Sequence, residues 1–80
     1  MSRMSARFVA QKVGMSTAWV YNLWKDMGLV MKDKFGDWVL THTGRDIGGT
    51  MSKGNRLQVP TFDFKKIEAL MIEFYNKTKK

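Results

Sequence analysis

Residues 6–25 read ARFVAQKVGMSTAWVYNLWK, and this stretch predicts two short helices joined by a very tight turn. Apolar residues return at helical spacing on both sides of Gly14. Ser5 and Ser16 can cap the starts of the two helices. Gly14 can end the first helix in the left-handed conformation, which glycine adopts at little cost. Because two closely crossing helices need a small residue at the crossing, Ala10 completes the pattern.

The second helix is expected to have one apolar and one polar face. Its apolar residues are spaced so that they share one side of a helix, and they are Val20, Leu23, Trp24 and Met27. Gly28 is placed to end this helix, so the two-helix unit covers residues 6–27. The opposite face should be open to solvent or to a partner.

Downstream of the two helices, the pattern changes to short runs rich in β-branched and aromatic residues. Two such runs flank the turn residues 33–36, which predicts a β-hairpin over residues 29–40. Either Thr41 or Thr43 can cap a short helical turn after the hairpin, and the residues from Thr43 to Asp46 have the spacing of a capping box.

The last third of the chain is predicted to be a basic loop followed by a long helix. The loop covers residues 49–58, and residues 57–59 can form one further short strand that Pro60 ends. The helix covers residues 62–77. Its apolar stripe consists of Phe64, Ile67, Leu70, Met71 and Phe74.

The order of these elements predicts a single domain over residues 1–80 that is mainly α-helical with a small β-hairpin. Residues 6–25 resemble the helix-turn-helix of DNA-binding proteins, and residues 29–40 resemble the hairpin wing of its winged variant. The run from Trp38 to Thr41, followed by Gly44, is similar to the C-terminal winged-helix domains of phage antirepressors. These resemblances imply a winged helix-turn-helix fold and a phage or prophage protein.

The C-terminal helix is expected to serve both the core and self-association. Winged-helix domains usually have a helix before the two-helix unit, but only five residues precede Ala6. We therefore expect the C-terminal helix to complete a three-helix core. Phe62, Ile72 and Tyr75 lie off its main stripe, and this apolar surplus predicts a homodimer through the helix.

Composition favours a polyanionic partner and excludes several other functions. The 80 residues carry 14 Lys and Arg against 7 Asp and Glu, a formal net charge of +7. With no cysteine and one histidine, thiol chemistry, thiolate metal sites and histidine triads are excluded. We expect no enzymatic activity and no cofactor or metal, since a phosphate loop and a carboxylate cluster are also missing. No apolar run suits a membrane span or a signal peptide, so a cytoplasmic protein is expected.

Polar residues on the second helix are the predicted DNA-reading residues. A recognition helix enters the major groove with its N-terminal half leading, and the residues predicted to touch base edges are Ser16, Thr17, Ala18, Tyr21 and Asn22. Asn22 suits adenine, and Ala18 suits the thymine methyl group. Because no arginine lies on this face, specificity should be modest or favour A·T pairs. The predicted phosphate contacts are Arg7, Lys12, Lys25, Lys32, Lys34, Lys53 and Arg56.

The function predicted from these features is a phage or prophage transcriptional regulator that acts by occupying double-stranded DNA. Two alternatives stay open. One is an excisionase-like accessory factor that bends DNA. The other is an antirepressor or counter-defence inhibitor that binds a protein partner, which an exposed cluster of aromatic and methionine side chains would favour.

Overall fold

The computed structural model describes residues 3–53 and 58–78. Within these ranges the chain forms four helices and two small antiparallel sheets, a small α/β fold. In chain order the elements are β1 Arg3–Ser5, α1 Ala6–Val13, α2 Thr17–Asp26, β2 Val30–Lys32, β3 Trp38–Leu40, α3 His42–Asp46, β4 Thr50–Lys53, β5 Gln58–Asp63 and α4 Phe64–Thr78. None of the helices in the described residues is long and apolar enough to cross a membrane.

The tight turn between α1 and α2 is confirmed. Gly14 adopts φ +74°, and its N–H donates to the carbonyl oxygen of Ala10 at the end of α1. The Ser16 hydroxyl oxygen accepts a 3.0 Å hydrogen bond from the Trp19 N–H and caps α2. Ser5 occupies the cap position of α1, but its side chain accepts no capping hydrogen bond.

The predicted hairpin over residues 29–40 is also confirmed. β2 and β3 pair antiparallel, with Val30 opposite Leu40 and Lys32 opposite Trp38. Val30 and Leu40 are both buried, so one end of the hairpin is anchored in the core and the turn extends away from it.

A second sheet, with strand order β1-β5-β4, was not predicted. The prediction of a mainly α-helical fold with one hairpin was therefore incomplete, and residues 50–53 of the expected basic loop form a strand. Pro60 does not end β5 but lies inside it, opposite Met51. β1 pairs with β5 only from Thr61 onwards, so at Pro60 the strand has one neighbour, a position that tolerates proline.

The C-terminal helix contributes to the core, although it starts at Phe64 because residues 62 and 63 belong to β5. The predicted three-helix core is incomplete, since strands also supply buried residues. Ile67 and Met71 are the buried residues of α4. The full buried apolar set is Ala6, Val9, Ala10, Val20, Trp24, Leu29, Val30, Leu40, Phe62, Ile67 and Met71. Phe62, expected on the dimer surface, is only 1% exposed because it extends from a strand and not from the helix.

Helix α3 is short and packs directly on the chain that leads into the hairpin. Its cap is Thr41, whose hydroxyl oxygen accepts from the Gly44 N–H at 3.0 Å, so the capping box predicted from Thr43 to Asp46 is wrong. A Cβ atom on Gly44 would overlap the carbonyl oxygen of Leu29. Glycine at this position is thus required by the close approach of two backbone segments, and not by a left-handed backbone.

Candidate nucleic-acid interface

Four of the five residues predicted to read bases have exposed side chains. Only Ala18 and Asn22 lie opposite the buried Val20 and Trp24, because each residue advances the helix by about 100°. Ser16 and Thr17 lie at the start of α2, on the side of the buried residues. Thr17, Ala18 and Asn22 are exposed on α2, and Ser16 is exposed at its start. The Ser16 oxygen already accepts the capping hydrogen bond from the Trp19 N–H, so the Ser16 hydroxyl can still donate a hydrogen bond to a ligand. Lys25 extends the same exposed region toward the end of the helix.

The fifth predicted reading residue, Tyr21, is not on the open face. It is half-buried, and its ring stacks on Trp38 of β3 with centroids 4.9 Å apart and planes at 4°. It also meets the edge of Trp24 at 6.0 Å. The prediction of a solvent-facing Tyr21 is wrong because the hairpin folds back over this side of α2. The periodicity of α2 alone carries no information about that contact.

The stack of Tyr21 on Trp38 joins the hairpin to the second helix. Aromatic pairs of this kind contribute about 0.5–1.5 kcal/mol beyond the area they bury. The Lys32 ammonium lies 5.2 Å from the Trp38 ring centroid, within cation–π range. The hairpin is therefore held at a defined position beside α2, and Trp38 is a positioning residue that the sequence analysis did not place at the site.

Burial raises the pKa of the Tyr21 hydroxyl above 10.0, its ordinary value. Because the neutral phenol is the favoured form in the folded state, its contribution to stability is complete below pH 10 and declines as the pH rises through the folded-state pKa. We expect Tyr21→Phe, which keeps the ring stack, to make the free energy of unfolding fall less steeply above pH 10. Urea unfolding at several alkaline pH values measures this, and identical pH profiles for Tyr21→Phe and the unaltered protein would contradict the prediction.

Five of the seven predicted phosphate-binding residues have exposed side chains: Arg7, Lys12, Lys25, Lys32 and Lys34. Arg7 and Lys12 lie about 140° apart around α1, since each residue advances the helix by about 100°. They therefore cannot both flank the same groove. Lys53 is the last residue of β4, and Arg56 lies outside the described residues.

A further arginine is explained by the fold. The Arg3 guanidinium donates to the carbonyl oxygens of Gly48 and, at 3.5 Å, Thr61. These bonds connect β1 to the turn after α3 and to β5. Arg3 is thus engaged in joining β1 to its neighbours in the fold.

An apolar groove separates α2 from α4. Its volume is about 370 Å³, and its lining residues include Trp19, Leu23, Ile72 and Tyr75. Ile72 is 55% exposed and Tyr75 is 46% exposed, as expected for a face of α4 outside the core. A neighbouring groove places Asn22 beside Phe74 and Tyr75. Because Asn22 is still exposed, the last turns of α4 border this side of α2 without covering it.

Sites for metal binding are not evident in residues 3–53 and 58–78, where no three His, Asp or Glu side chains come together. Comparisons with family models, curated proteins and solved structures found no match to this chain. Its function must therefore be inferred from its own residues. The features that bear on function are the open face of α2, the hairpin stacked beside it, and the basic charge.

Proposed function

We propose that this chain is a small DNA-binding protein that acts by occupying its site, with α2 in the major groove and the hairpin as a wing beside it. The observation that carries the proposal is the exposed face of α2. Ala18, Asn22 and Lys25 are exposed and lie within about 60° of one another around α2. Thr17 is exposed in the first turn of this helix, which follows the tight turn at Gly14. In this proposal α1 and α2 form a helix-turn-helix, and α4 is the third helix packed against it.

The chemistry of the open face suits base edges in the major groove. An asparagine amide can pair with both N6 and N7 of adenine, and a small apolar side chain can contact the thymine methyl group. Asn22 and Ala18 supply these two groups, and Thr17 can donate to either a base or a phosphate. Lys25 extends the face with a cation for the backbone. The formal net charge of +7 supports attraction to a polyanion.

The regulatory role and the dimer are parts of the same proposal. Because one unit of this size covers few base pairs, a two-fold pair would raise affinity and specificity. The exposed Ile72 and Tyr75 of α4 support pairing through that helix. The resemblance of the hairpin region to phage antirepressor domains supports a transcriptional regulator of phage or prophage type.

Selection of bound duplexes from a random DNA pool, at low and at moderate salt, tests the proposal. We expect recovery of A·T-containing sites arranged as two-fold repeats about one helical turn apart. Direct repeats would favour an accessory factor in recombination over a repressor dimer. Failure to retain any duplex even at low salt would contradict the DNA-binding function and favour the protein-binding alternative.

Asn22→Ala is expected to relax sequence preference at one position of the selected site. Loss of a bidentate contact should reduce discrimination at one A·T pair by about 1–3 kcal/mol, while binding to unrelated DNA changes little. Competition titrations with matched and single-substituted duplexes measure this. Gln11→Ala, which removes an exposed amide from α1, is the control. Equal effects of the two substitutions would argue against base reading by Asn22.

A further inference from the structure

The tip of the hairpin presents an aromatic ring to solvent. Phe35 is 76% exposed, more than any other large apolar side chain among the described residues. It is followed by Gly36, which adopts φ +84° at the reversal of the chain. An apolar ring placed at the end of a projecting hairpin points to a partner into which the ring is inserted.

The turn that carries Phe35 is held rigidly by its own hydrogen bonds. The Asp33 carboxylate accepts from the N–H of Phe35 at 2.9 Å and from the N–H of Asp37 at 3.0 Å. The Asp33 N–H donates to the Asp37 carbonyl oxygen at 2.9 Å, and the Gly36 N–H donates to the Asp33 carbonyl oxygen at 3.0 Å. The backbone that carries Phe35 is therefore fixed before any partner arrives, which lowers the entropic cost of inserting the ring.

Because the charges of the turn nearly cancel, the Phe35 ring is the main group that the turn offers to a partner. Asp33 and Asp37 offset Lys32 and Lys34, so the turn as a whole is close to neutral, although both lysines are exposed and can each contact a phosphate. The Lys34 ammonium lies 5.3 Å from the Phe35 ring centroid, whereas the Asp33 carboxylate is occupied by backbone N–H groups. A cation therefore lies beside the ring, which suits an apolar site bordered by phosphates.

We propose that Phe35 inserts between adjacent base pairs from the minor groove and bends the DNA that α2 holds. Apolar side chains that part a base step in this way kink the duplex by roughly 20–90° toward the major groove. The stack of Trp38 on Tyr21 fixes the hairpin against α2, so the ring meets the duplex at a set distance from the helix. This inference rests on the proposed DNA-binding function and adds an activity to it, namely bending.

A bending assay with a matched phenylalanine control tests the proposal. The probe is an A·T-rich duplex of about 30 base pairs with a central TA step, the kind of step that unstacks most readily. It carries a donor and an acceptor dye at its ends, and a second preparation has 2-aminopurine at the TA step. The proteins are the unaltered chain, Phe35→Ala and Phe8→Ala, the last removing a ring that is 55% exposed on α1.

We expect the unaltered chain and Phe8→Ala to raise energy transfer between the duplex ends and to brighten 2-aminopurine. Phe35→Ala should bind with the same salt dependence but lose both signals. Equal signals from Phe35→Ala, or binding of the unaltered chain without bending, would overturn the wedge and leave DNA binding intact. A chain that binds no duplex would overturn both. Phe35-dependent binding to anionic vesicles without DNA bending would likewise overturn the wedge in favour of a lipid surface.

Discussion

Replacing Trp24 with alanine is expected to lower the free energy of unfolding by about 3–5 kcal/mol, the usual cost of truncating a buried tryptophan. A domain of this size has a total of roughly 4–12 kcal/mol. Trp24 is fully buried, and its ring meets Phe62 edge-on at a centroid distance of 4.8 Å. Its indole N–H also donates to the Met71 sulfur at 3.4 Å. The side chain thus connects α2 to β5 and to α4, and its loss leaves a cavity among all three.

Urea unfolding followed by far-UV circular dichroism measures this effect. Phe35→Ala is the matched control, since it also removes an aromatic ring, but one that is exposed at the tip of the hairpin. Surface substitutions of this kind change stability by about 0.5 kcal/mol or less. Similar unfolding midpoints for Trp24→Ala and Phe35→Ala would show that the core described here is not the one that stabilises the protein.

The second large effect is the dependence of DNA binding on salt. We expect about four phosphate contacts, from Lys25, Lys32, Lys34 and one of the two α1 cations. Four contacts give a log–log slope of about −3.6. Affinity should accordingly fall by about 150-fold between 50 and 200 mM salt. Fluorescence anisotropy with a labelled duplex measures the slope, and a slope near zero would remove the electrostatic basis of the proposed function.

Charge reversal at one position tests where these contacts lie. Lys25→Glu should weaken binding and make the slope shallower by about one contact. Lys65→Glu changes the net charge by the same amount on the exposed side of α4, and it should leave the slope nearly unchanged. A slope that responds equally to both variants would indicate that the protein binds DNA through its overall charge and not through α2.

Comparison of Phe35→Ala with Trp24→Ala also separates effects on stability from effects on function. Phe35→Ala is expected to leave the fold intact while removing the bend in DNA. Trp24→Ala is expected to weaken the fold and, with it, every activity. Measuring both properties for both variants distinguishes a residue that acts on a partner from one that acts through the core.

Much of the candidate site followed from local sequence chemistry, but one of its central residues did not. Ala18 and Asn22 were placed on an open face because Val20 and Trp24 define the buried side of the same helix. Thr17 lies on that buried side and is exposed in the first turn. Tyr21 lies between these two faces. Whether it is exposed depends on the hairpin, which packs Trp38 against it. The periodicity of one helix cannot predict a contact made by a residue of another element.

Sequence reasoning also missed the three-stranded sheet. β1 has three residues, too few for the alternation that identifies a strand. Its partner residues 61–63 lie far along the chain, next to a proline that argues against a strand when only the local sequence is considered. Tertiary pairing overrides that local signal, since Pro60 is placed where β5 has a neighbour on one side only.

What the sequence determined by itself is the set of features whose causes lie within a few residues. The left-handed turn at Gly14, the Ser16 cap and the Asp33 turn depend on hydrogen bonds between near neighbours. Tertiary structure alone decided the sheet that pairs residues 3–5 with residues 61–63 and the stack that covers Tyr21. Both depend on contacts between residues distant in sequence, whose free energy is gained only when the whole chain is folded.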